Sequence, residues 1–196
     1  MNTRVNVSVV VPCFRCVSTL GRAIESVLAQ TELPKELILV DDASGDDTLT
    51  LLNSLRERWP NFIRVLALPV NQGAGMARNA GWTASVGKYV AFLDSDDSWH
   101  PKKLAIQYAF MEANPDVALS GHAHAIGVVI EADVVMPPPV KDMPWWHLLA
   151  KNPFVTPSAM VRKDVLPRFQ NGRRYMEDHL LWMEIDRKST RLNSSH

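Results

Sequence analysis

A short acidic turn, Asp94-Ser95-Asp96-Asp97, is the part of this sequence best suited to chemistry. Its three carboxylates create a strong local negative potential, so a positive group is expected against them. Hard divalent cations such as Mg²⁺ or Mn²⁺ take carboxylate oxygens and complete their coordination with phosphate oxygens and water. The D-x-D spacing therefore predicts a metal site, although a turn that caps the next helix would have a similar composition.

A second acidic pair, Asp41-Asp42, directly follows an apolar run that ends at Val40. A helix-entry turn explains Ser44 and Asp46, because such residues commonly begin helices. It does not explain two adjacent carboxylates, whose mutual repulsion must be offset by a donor or a cation. We therefore expect a ligand donor, such as a base N–H, to bind there.

A glycine-rich segment, NQGAG (71–75), opens a predicted helix that carries Arg78. It is not a dinucleotide-binding fingerprint, because the third glycine would fall at Arg78, and the Gly-Lys-Ser/Thr of a phosphate-binding P-loop is missing. The segment instead predicts a loop with exposed backbone N–H groups and one cation close to the acidic residues.

Three other pairs of residues are less informative. Cys13 and Cys16 are spaced like a redox pair or half of a zinc site, but no second pair at zinc spacing accompanies them, so we interpret them as incidental thiols. His122 and His124 share one face of a predicted strand, yet two ligands do not make a metal site. The adjacent tryptophans at 145 and 146 suit either core packing or a platform for an acceptor.

The composition is that of one globular domain, with 46% hydrophobic and 21% charged residues. Lys plus Arg equal Asp plus Glu, so no overall field attracts the chain to nucleic acid, and we expect no nucleic-acid partner. No apolar run approaches the roughly 18 residues that a membrane span needs. We expect a cytoplasmic protein whose contact with the inner face of the cell membrane, where it occurs, is peripheral.

Strands and helices alternate through the first part of the chain. Predicted strands cover Val5–Val11, Glu36–Val40, Phe62–Leu68 and Lys88–Leu93, and predicted helices cover Ser18–Gln30, Asp46–Trp59, Gly73–Val86 and Pro101–Asn114. This order indicates an α/β fold with a mostly parallel, Rossmann-like sheet flanked by helices. The two acidic clusters would then lie at one edge, beyond the carboxyl ends of the strands.

The second half is less regular. It predicts strands over Val117–Ile126, Val128–Val135 and Ser158–Arg162, an extended proline loop over Met136–Val140, a short helix over Pro144–Lys151 and a helix from Glu177 onward.

Five segments together carry a family resemblance: VSVVVPCF (7–14), ELILVDDASGDDT (36–48), NQGAGMARNAG (71–81), YVAFLDSDD (89–97) and MED (176–178). Their order and spacing resemble the family 2 glycosyltransferases with the A-type fold. The resemblance implies an inverting enzyme that moves a sugar from a nucleotide diphosphate sugar to a saccharide or lipid-linked acceptor, in the synthesis of cell-surface polysaccharide or glycoconjugate. It also implies a divalent cation, Mg²⁺ or Mn²⁺.

The resemblance also assigns roles to matching positions. Asp96 would ligate the metal, and Asp178 would be the catalytic base, although an acidic start to a helix is the alternative interpretation of Asp178. Pro12 and Phe14 would border the nucleoside, one carboxylate of the pair after strand two would contact the base, and Asp94 would approach the ribose or the metal. With Arg78 added from its place near the acids, the predicted donor-nucleotide residues are Pro12, Phe14, Asp41, Asp42, Arg78 and Asp94. Arg15-Cys16 departs from the family's usual pattern in the first loop, where an asparagine often follows the aromatic residue.

The last residues, DRKSTRLNSSH (186–196), resemble the in-frame translation of a common sequencing adapter. We therefore expect residues 1–185 to be a catalytic domain that is incomplete at its C-terminus, and 186–196 to be a non-native tail, which the fold prediction leaves out. Truncation gives weight to one alternative, a domain that binds a nucleotide sugar without transferring it. A second enzyme class, nucleotidyl transfer to a sugar phosphate, usually needs a glycine-rich basic loop near the first strand, and Gly21 and Arg22 do not form one.

Overall fold

The computed structural model describes residues 4–122, 141–142, 155–172, 177–188 and 191–195. Its strands are β1 (Arg4–Cys13), β2 (Leu33–Asp41), β3 (Ile63–Ala67), β4 (Tyr89–Phe92), β5 (Val117–His122), β6 (Lys141–Asp142), β7 (Met160–Arg162) and β8 (Arg191–Ser195). Its helices are α1 (Leu20–Leu28), α2 (Thr48–Arg58), α3 (Ala74–Ala84), α4 (Lys103–Ala113) and α5 (Glu177–Lys188), with a 3₁₀ turn at Thr156–Ser158.

The strands form one sheet in the order β3-β2-β1-β4-β7-β5-β8-β6. β1 pairs in parallel with both β2 and β4, and β2 pairs in parallel with β3. β7 runs antiparallel to β4 and β5, and β6 runs antiparallel to β8. β2 and β3 lie on one side of β1 and β4 lies on the other, so the order of the strands in the sheet reverses between β1 and β4. A switch point of this kind opens a crevice beyond the carboxyl ends of the strands.

Helices cover both faces of the sheet, and the sequence of β1 shows why. From Val7 onward every residue of β1 is buried, as expected for a parallel strand with helices on both sides. Val7, Val9 and Val11 pack into one core cluster with residues of α1, α2 and α4, whereas Val10 packs into the other with residues of α3 and α5. The predicted α/β class and mostly parallel sheet are therefore confirmed.

Glycine is required where α3 approaches the sheet. A Cβ atom at Gly81 would lie 2.3 Å from Cγ1 of Val10, so only a residue without a side chain lets the helix pack this closely. Close packing of α3 against β1 brings its N-terminal end, and with it Arg78, to the carboxyl edge of the sheet.

The predicted ends of elements need small corrections. α1 begins at Leu20 with Thr19 rather than Ser18 as its N-cap, and no side chain caps it. α4 begins at Lys103 rather than at Pro101, because the backbone N–H of Lys103 closes a turn onto the carbonyl of His100. The strand predicted from Ser158 begins only at Met160, after the 3₁₀ turn.

The described part of residues 186–196 adds the end of a helix and one strand to the structure. α5 continues to Lys188, and β8 pairs in parallel with β5 through backbone hydrogen bonds. Such bonds involve groups common to nearly all residues, so they do not test where the codons came from, and the adapter origin stays a prediction. The predicted elements at 128–135, 136–140 and 144–151 lie outside the described residues, as do His124 and both adjacent tryptophans. Among the described helices none is long and apolar enough to cross a membrane.

Candidate functional site

A pocket of about 230 Å³ lies at the switch point between β1 and β4. It contains all of the predicted site residues except Asp41 and Asp178. Its lining is Pro12, Cys13, Phe14, Asp42, Ala74, Arg78, Asp94, Ser95 and Asp96. The ends of β1, β2 and β4, the residues that follow them and the first turns of α3 contribute this lining, because the three strands run in parallel and end at the same edge.

The first loop presents an aromatic ring to solvent. Phe14 is 46% exposed, which is unusual for a large apolar side chain beside a pocket. The guanidinium of Arg15 lies over this ring, 5.2 Å from its centroid, and its Nε donates to the carbonyl of Ser44 at 3.2 Å. Arg15 has a φ of 50°, in the left-handed region that non-glycine residues rarely adopt. Arg15, which departs from the family pattern, thus joins the first loop to the loop after β2. The sequence did not reveal this contact.

The two carboxylates after β2 have different partners. Asp41 accepts the hydroxyl of Ser44 at 2.5 Å, so its side chain shapes the turn. Asp42 accepts the backbone N–H groups of Gln72 and Gly73 at 2.9 and 2.8 Å, and it borders the pocket. Gly73 has a φ of 89°, which favours glycine at this position. The donors that offset the repulsion between the two acids are therefore supplied by the protein itself.

Arg78 lies against the acidic turn, as expected from its place in the sequence. One of its terminal nitrogens lies 2.5 Å from Oδ1 of Asp94, and the Arg78 side chain is only 7% exposed. Its guanidinium also lies over the ring of Phe169, 5.4 Å from the centroid. A buried, fixed cation of this kind holds Asp94 in place and adds positive charge to the wall of the pocket.

The acidic turn itself is open toward solvent. The N–H of Asp97 donates to the carbonyl of Asp94 at 3.1 Å, and Arg22 of α1 donates to the carbonyl of Asp96. The Asp96 side chain is exposed and borders the pocket. Within the described residues no three His, Cys, Asp or Glu side chains converge on one point. The oxygen donors of Asp94 and Asp96 nevertheless fit a cation of the Mg²⁺ or Mn²⁺ type, which needs one or two carboxylates and takes its other ligands from phosphate and water.

The two cysteines are buried, reduced and close together beside this pocket. The hydrogen bond with the Cys13 thiol is the main cause that lowers the pKa of Cys16 to about 7. The same contact, together with burial, raises the pKa of Cys13. Their thiols therefore interact with each other, and the described residues add no further ligands of the kind a zinc site would need.

Asp178 lies in the first turn of α5 and is not among the residues that line the 230 Å³ pocket. Its Oδ1 accepts the backbone N–H of His179 at 2.7 Å, and its Oδ2 accepts the hydroxyl of Thr156 at 3.4 Å. The first contact is typical of an acidic residue at the start of a helix. The second joins the helix to the 3₁₀ turn before β7, and nothing in the sequence indicated it.

Comparison with known proteins identifies the family. Residues 8–151 match the sequence profile of glycosyl transferase family 2. The chain belongs to glycosyltransferase family 2. It is 33% identical over 176 residues to the amylovoran biosynthesis glycosyltransferase AmsE of Erwinia amylovora, which covers 85% of this chain and 63% of AmsE. It is also 37% identical over 108 residues to the glucosyltransferase WfaP of Escherichia coli, across 54% of this chain and 41% of WfaP.

Solved structures share the fold. The S. aureus protein TarS superposes with a TM-score of 0.77 over 99% of this chain and 57% of the TarS chain, at 22% identity. At that identity the likeness shows the fold alone, and this fold is the A-type glycosyltransferase fold. The chain spans less than two thirds of the length of AmsE, WfaP or TarS.

Proposed function

We propose that this protein transfers a sugar from a nucleotide diphosphate sugar to an acceptor hydroxyl, with inversion at the anomeric carbon, in the synthesis of a polysaccharide or glycoconjugate. The observation that carries the proposal is the pocket at the switch point, where an exposed ring, a buried cation and three carboxylates meet. These are the groups that a nucleoside, a diphosphate and a divalent cation would need.

The names of the relatives support this class of donor. WfaP is named as a glucosyltransferase that uses UDP-Glc and a lipid diphosphate acceptor, and AmsE is named for amylovoran biosynthesis. TarS was solved with UDP and with UDP-GlcNAc, and the mannosyltransferase PcManGT of Pyrobaculum calidifontis, with a TM-score of 0.55, was solved with GDP-Man and Mn²⁺. Bound near Asp96, a divalent cation would supply positive charge for the leaving diphosphate.

The residues of this chain would have distinct roles. Pro12 and Phe14 would flank the nucleoside, and Asp42 is the acid after β2 that borders the pocket, whereas Asp41 is engaged with Ser44. Arg78 would hold Asp94 in position beside the ribose or the metal.

Asp178 would act as the base. Its carboxylate would accept the proton of the acceptor hydroxyl as that oxygen attacks the anomeric carbon from the side opposite the diphosphate. The bond from that carbon to the diphosphate breaks as the new bond forms, so a single displacement inverts the configuration. A positioned base of this kind typically contributes about 10² to 10⁴ in rate.

The test compares binding of UDP and GDP, with and without Mn²⁺, by calorimetry in the unaltered protein, in Asp96→Asn and in Asp97→Asn. Asp97 lies in the same turn but does not border the pocket, so it is the matched control. We expect Asp96→Asn to lose the metal-dependent part of the affinity and Asp97→Asn to keep it. Unchanged metal-dependent binding in Asp96→Asn would remove the metal assignment, and no nucleotide binding in the unaltered protein would remove the proposal.

A domain that binds the donor without transferring sugar is the second candidate, because the chain covers only part of each relative's length. Release of UDP from UDP-GlcNAc or UDP-glucose, or of GDP from GDP-mannose, separates the two candidates. Turnover supports the transferase, whereas binding without turnover supports the binding domain.

A further inference from the structure

The 3₁₀ turn at Thr156–Ser158 is held against α4 by two buried side chains. The indole Nε1 of Trp99 donates to the carbonyl of Pro157 at 2.8 Å. The side-chain amide of Gln107 donates to the carbonyl of Ser158 at 2.9 Å and also to a carbonyl of β5 at 3.1 Å. Two consecutive carbonyls of the turn thus have partners on the α4 side of the molecule, so the position of the turn follows the position of that helix.

A buried lysine sets the orientation of the Gln107 amide. The ammonium of Lys103 donates to Oε1 of Gln107 at 2.7 Å and lies 4.1 Å from the ring centroid of Trp99. The protonated amine is only a donor, so in that form the amide oxygen faces it and the amide NH₂ faces the two carbonyls. Lys103, Gln107 and Trp99 therefore form one network, which we call the α4 platform.

A buried ammonium is an unusual choice for the position that Lys103 occupies in the α4 platform. Lys103 is only 6% exposed, and burial lowers its pKa to about 7. In the part of the chain that the structure describes, no carboxylate lies within salt-bridge distance of it. Burial of an ammonium without a partner carboxylate is unfavourable, and an apolar side chain of similar length would avoid it. Unfavourable local choices of this kind concentrate at functional sites.

The other side of the turn meets Asp178. Thr156 is 6% exposed, and its hydroxyl donates to Oδ2 of Asp178 at 3.4 Å, while Oδ1 accepts the N–H of His179 at 2.7 Å. A donor on each oxygen restrains the rotation of the carboxylate about its last bond. A carboxylate has about four lone-pair sites, so these two donors by themselves do not prevent it from accepting a proton.

We propose that Thr156 is a positioning residue for Asp178, and that the α4 platform sets the turn that presents the Thr156 hydroxyl. This inference rests on the proposed function, in which Asp178 is the base. A base must be aimed at the hydroxyl that it deprotonates, and small misplacements of a reacting group lower the rate steeply. The donor pocket is built by other loops, so loss of the Thr156 hydroxyl changes turnover and leaves donor binding intact.

The experiment measures release of UDP from UDP-GlcNAc and from UDP-glucose, and of GDP from GDP-mannose, with water as the acceptor, in Thr156→Val and Thr156→Ser. We expect Thr156→Val to lower kcat by about 2- to 10-fold, the equivalent of one hydrogen bond, with the KM for the donor unchanged. Thr156→Ser keeps the hydroxyl and is expected to restore most of kcat. Ser85→Ala is the control, because it removes a buried hydroxyl that donates to the carbonyl of Trp82 in α3.

A second variant tests the platform. Gln107→Glu can pair with Lys103, but its carboxylate cannot donate to the carbonyl of Ser158, so we expect kcat to fall while UDP or GDP affinity is kept. An unchanged kcat in Thr156→Val, or a Thr156→Ser variant as slow as Thr156→Val, would overturn the inference while leaving the proposed function intact. Absence of turnover in the unaltered protein would overturn the proposed function, and the role of Thr156 with it.

Discussion

The buried ammonium of Lys103 makes a quantitative prediction about stability and pH. Burial lowers its pKa from 10.5 to about 7 in the folded protein. Between these two values the unfolded chain binds the proton and the folded chain does not, so stability rises with pH across this range. At pH 6 both states are protonated, and burial of the charge costs up to about 5 kcal/mol, since one pKa unit corresponds to about 1.4 kcal/mol. At pH 10 the cost falls to about 1 kcal/mol.

Lys103→Met should therefore stabilise the protein at low pH. The variant removes the charge but also removes the donor to Gln107, and loss of a buried hydrogen bond costs about 1–3 kcal/mol. At pH 6 the gain exceeds this loss, so we expect a net stabilisation of roughly 2–4 kcal/mol. At pH 10 little charge cost remains, and the variant is expected to be equal to the original protein or less stable.

Urea unfolding at pH 6, 8 and 10, followed by circular dichroism, measures these differences. The comparison isolates Lys103, because the titration of Cys13, Cys16 and Tyr89 is common to both proteins. Lys102→Met is the matched control: its side chain is exposed, and the expected change is below about 0.5 kcal/mol at every pH. A difference between Lys103→Met and the original protein that stays constant from pH 6 to pH 10 would refute the reasoning.

Two further predictions concern packing and buried charge. Gly81→Ala is expected to destabilise the protein by about 1–3 kcal/mol in thermal unfolding, because its Cβ would overlap Val10. Gly21→Ala in α1 has open space around its Cβ and should stabilise the protein by about 0.5–1 kcal/mol. Equal effects of the two variants would contradict the close approach of α3 to β1. Burial alone would raise the pKa of Glu36, but hydrogen bonds from Ser8 and Arg64 outweigh it and lower the pKa. The stabilisation from ionised Glu36 is thus present above pH about 4.5 and is lost as the pH falls through the lowered value, so Glu36→Gln should cost about 1–3 kcal/mol at pH 7 and less in acid. A loss that does not shrink in acid would show that the charge is not the cause.

Much of the candidate site could be predicted from the sequence, because it depends on patterns that local chemistry sets. A strand buried on both faces, such as β1, reads as an uninterrupted apolar run, and its alternation with helices implies a parallel sheet. Parallel strands end at one edge, so acids that directly follow β2 and β4 had to meet there. Asp42, Asp94 and Asp96 do border one pocket.

Side-chain partners within that site could not be predicted in the same way. Asp41 and Asp42 are adjacent and chemically identical, yet one binds Ser44 and the other binds the N–H groups of the loop before α3. The choice depends on which way each side chain leaves the strand end and on where a loop 30 residues away returns. The left-handed backbone conformation of Arg15 likewise depends on tertiary contacts, here with the loop after β2.

The sequence by itself thus determined the class of fold, the edge of the sheet where the acidic residues meet and the family. These follow from periodicity, from residue types at strand ends and from motif order, all of which are local in the chain. Only the tertiary structure decided that Thr156 meets Asp178, that Trp99 and Gln107 hold the turn between them, and that Lys103 is buried without a partner carboxylate among the described residues. These contacts join segments that are far apart in the chain. In the sequence, nothing distinguishes Lys103 from any other charged residue at the start of a helix.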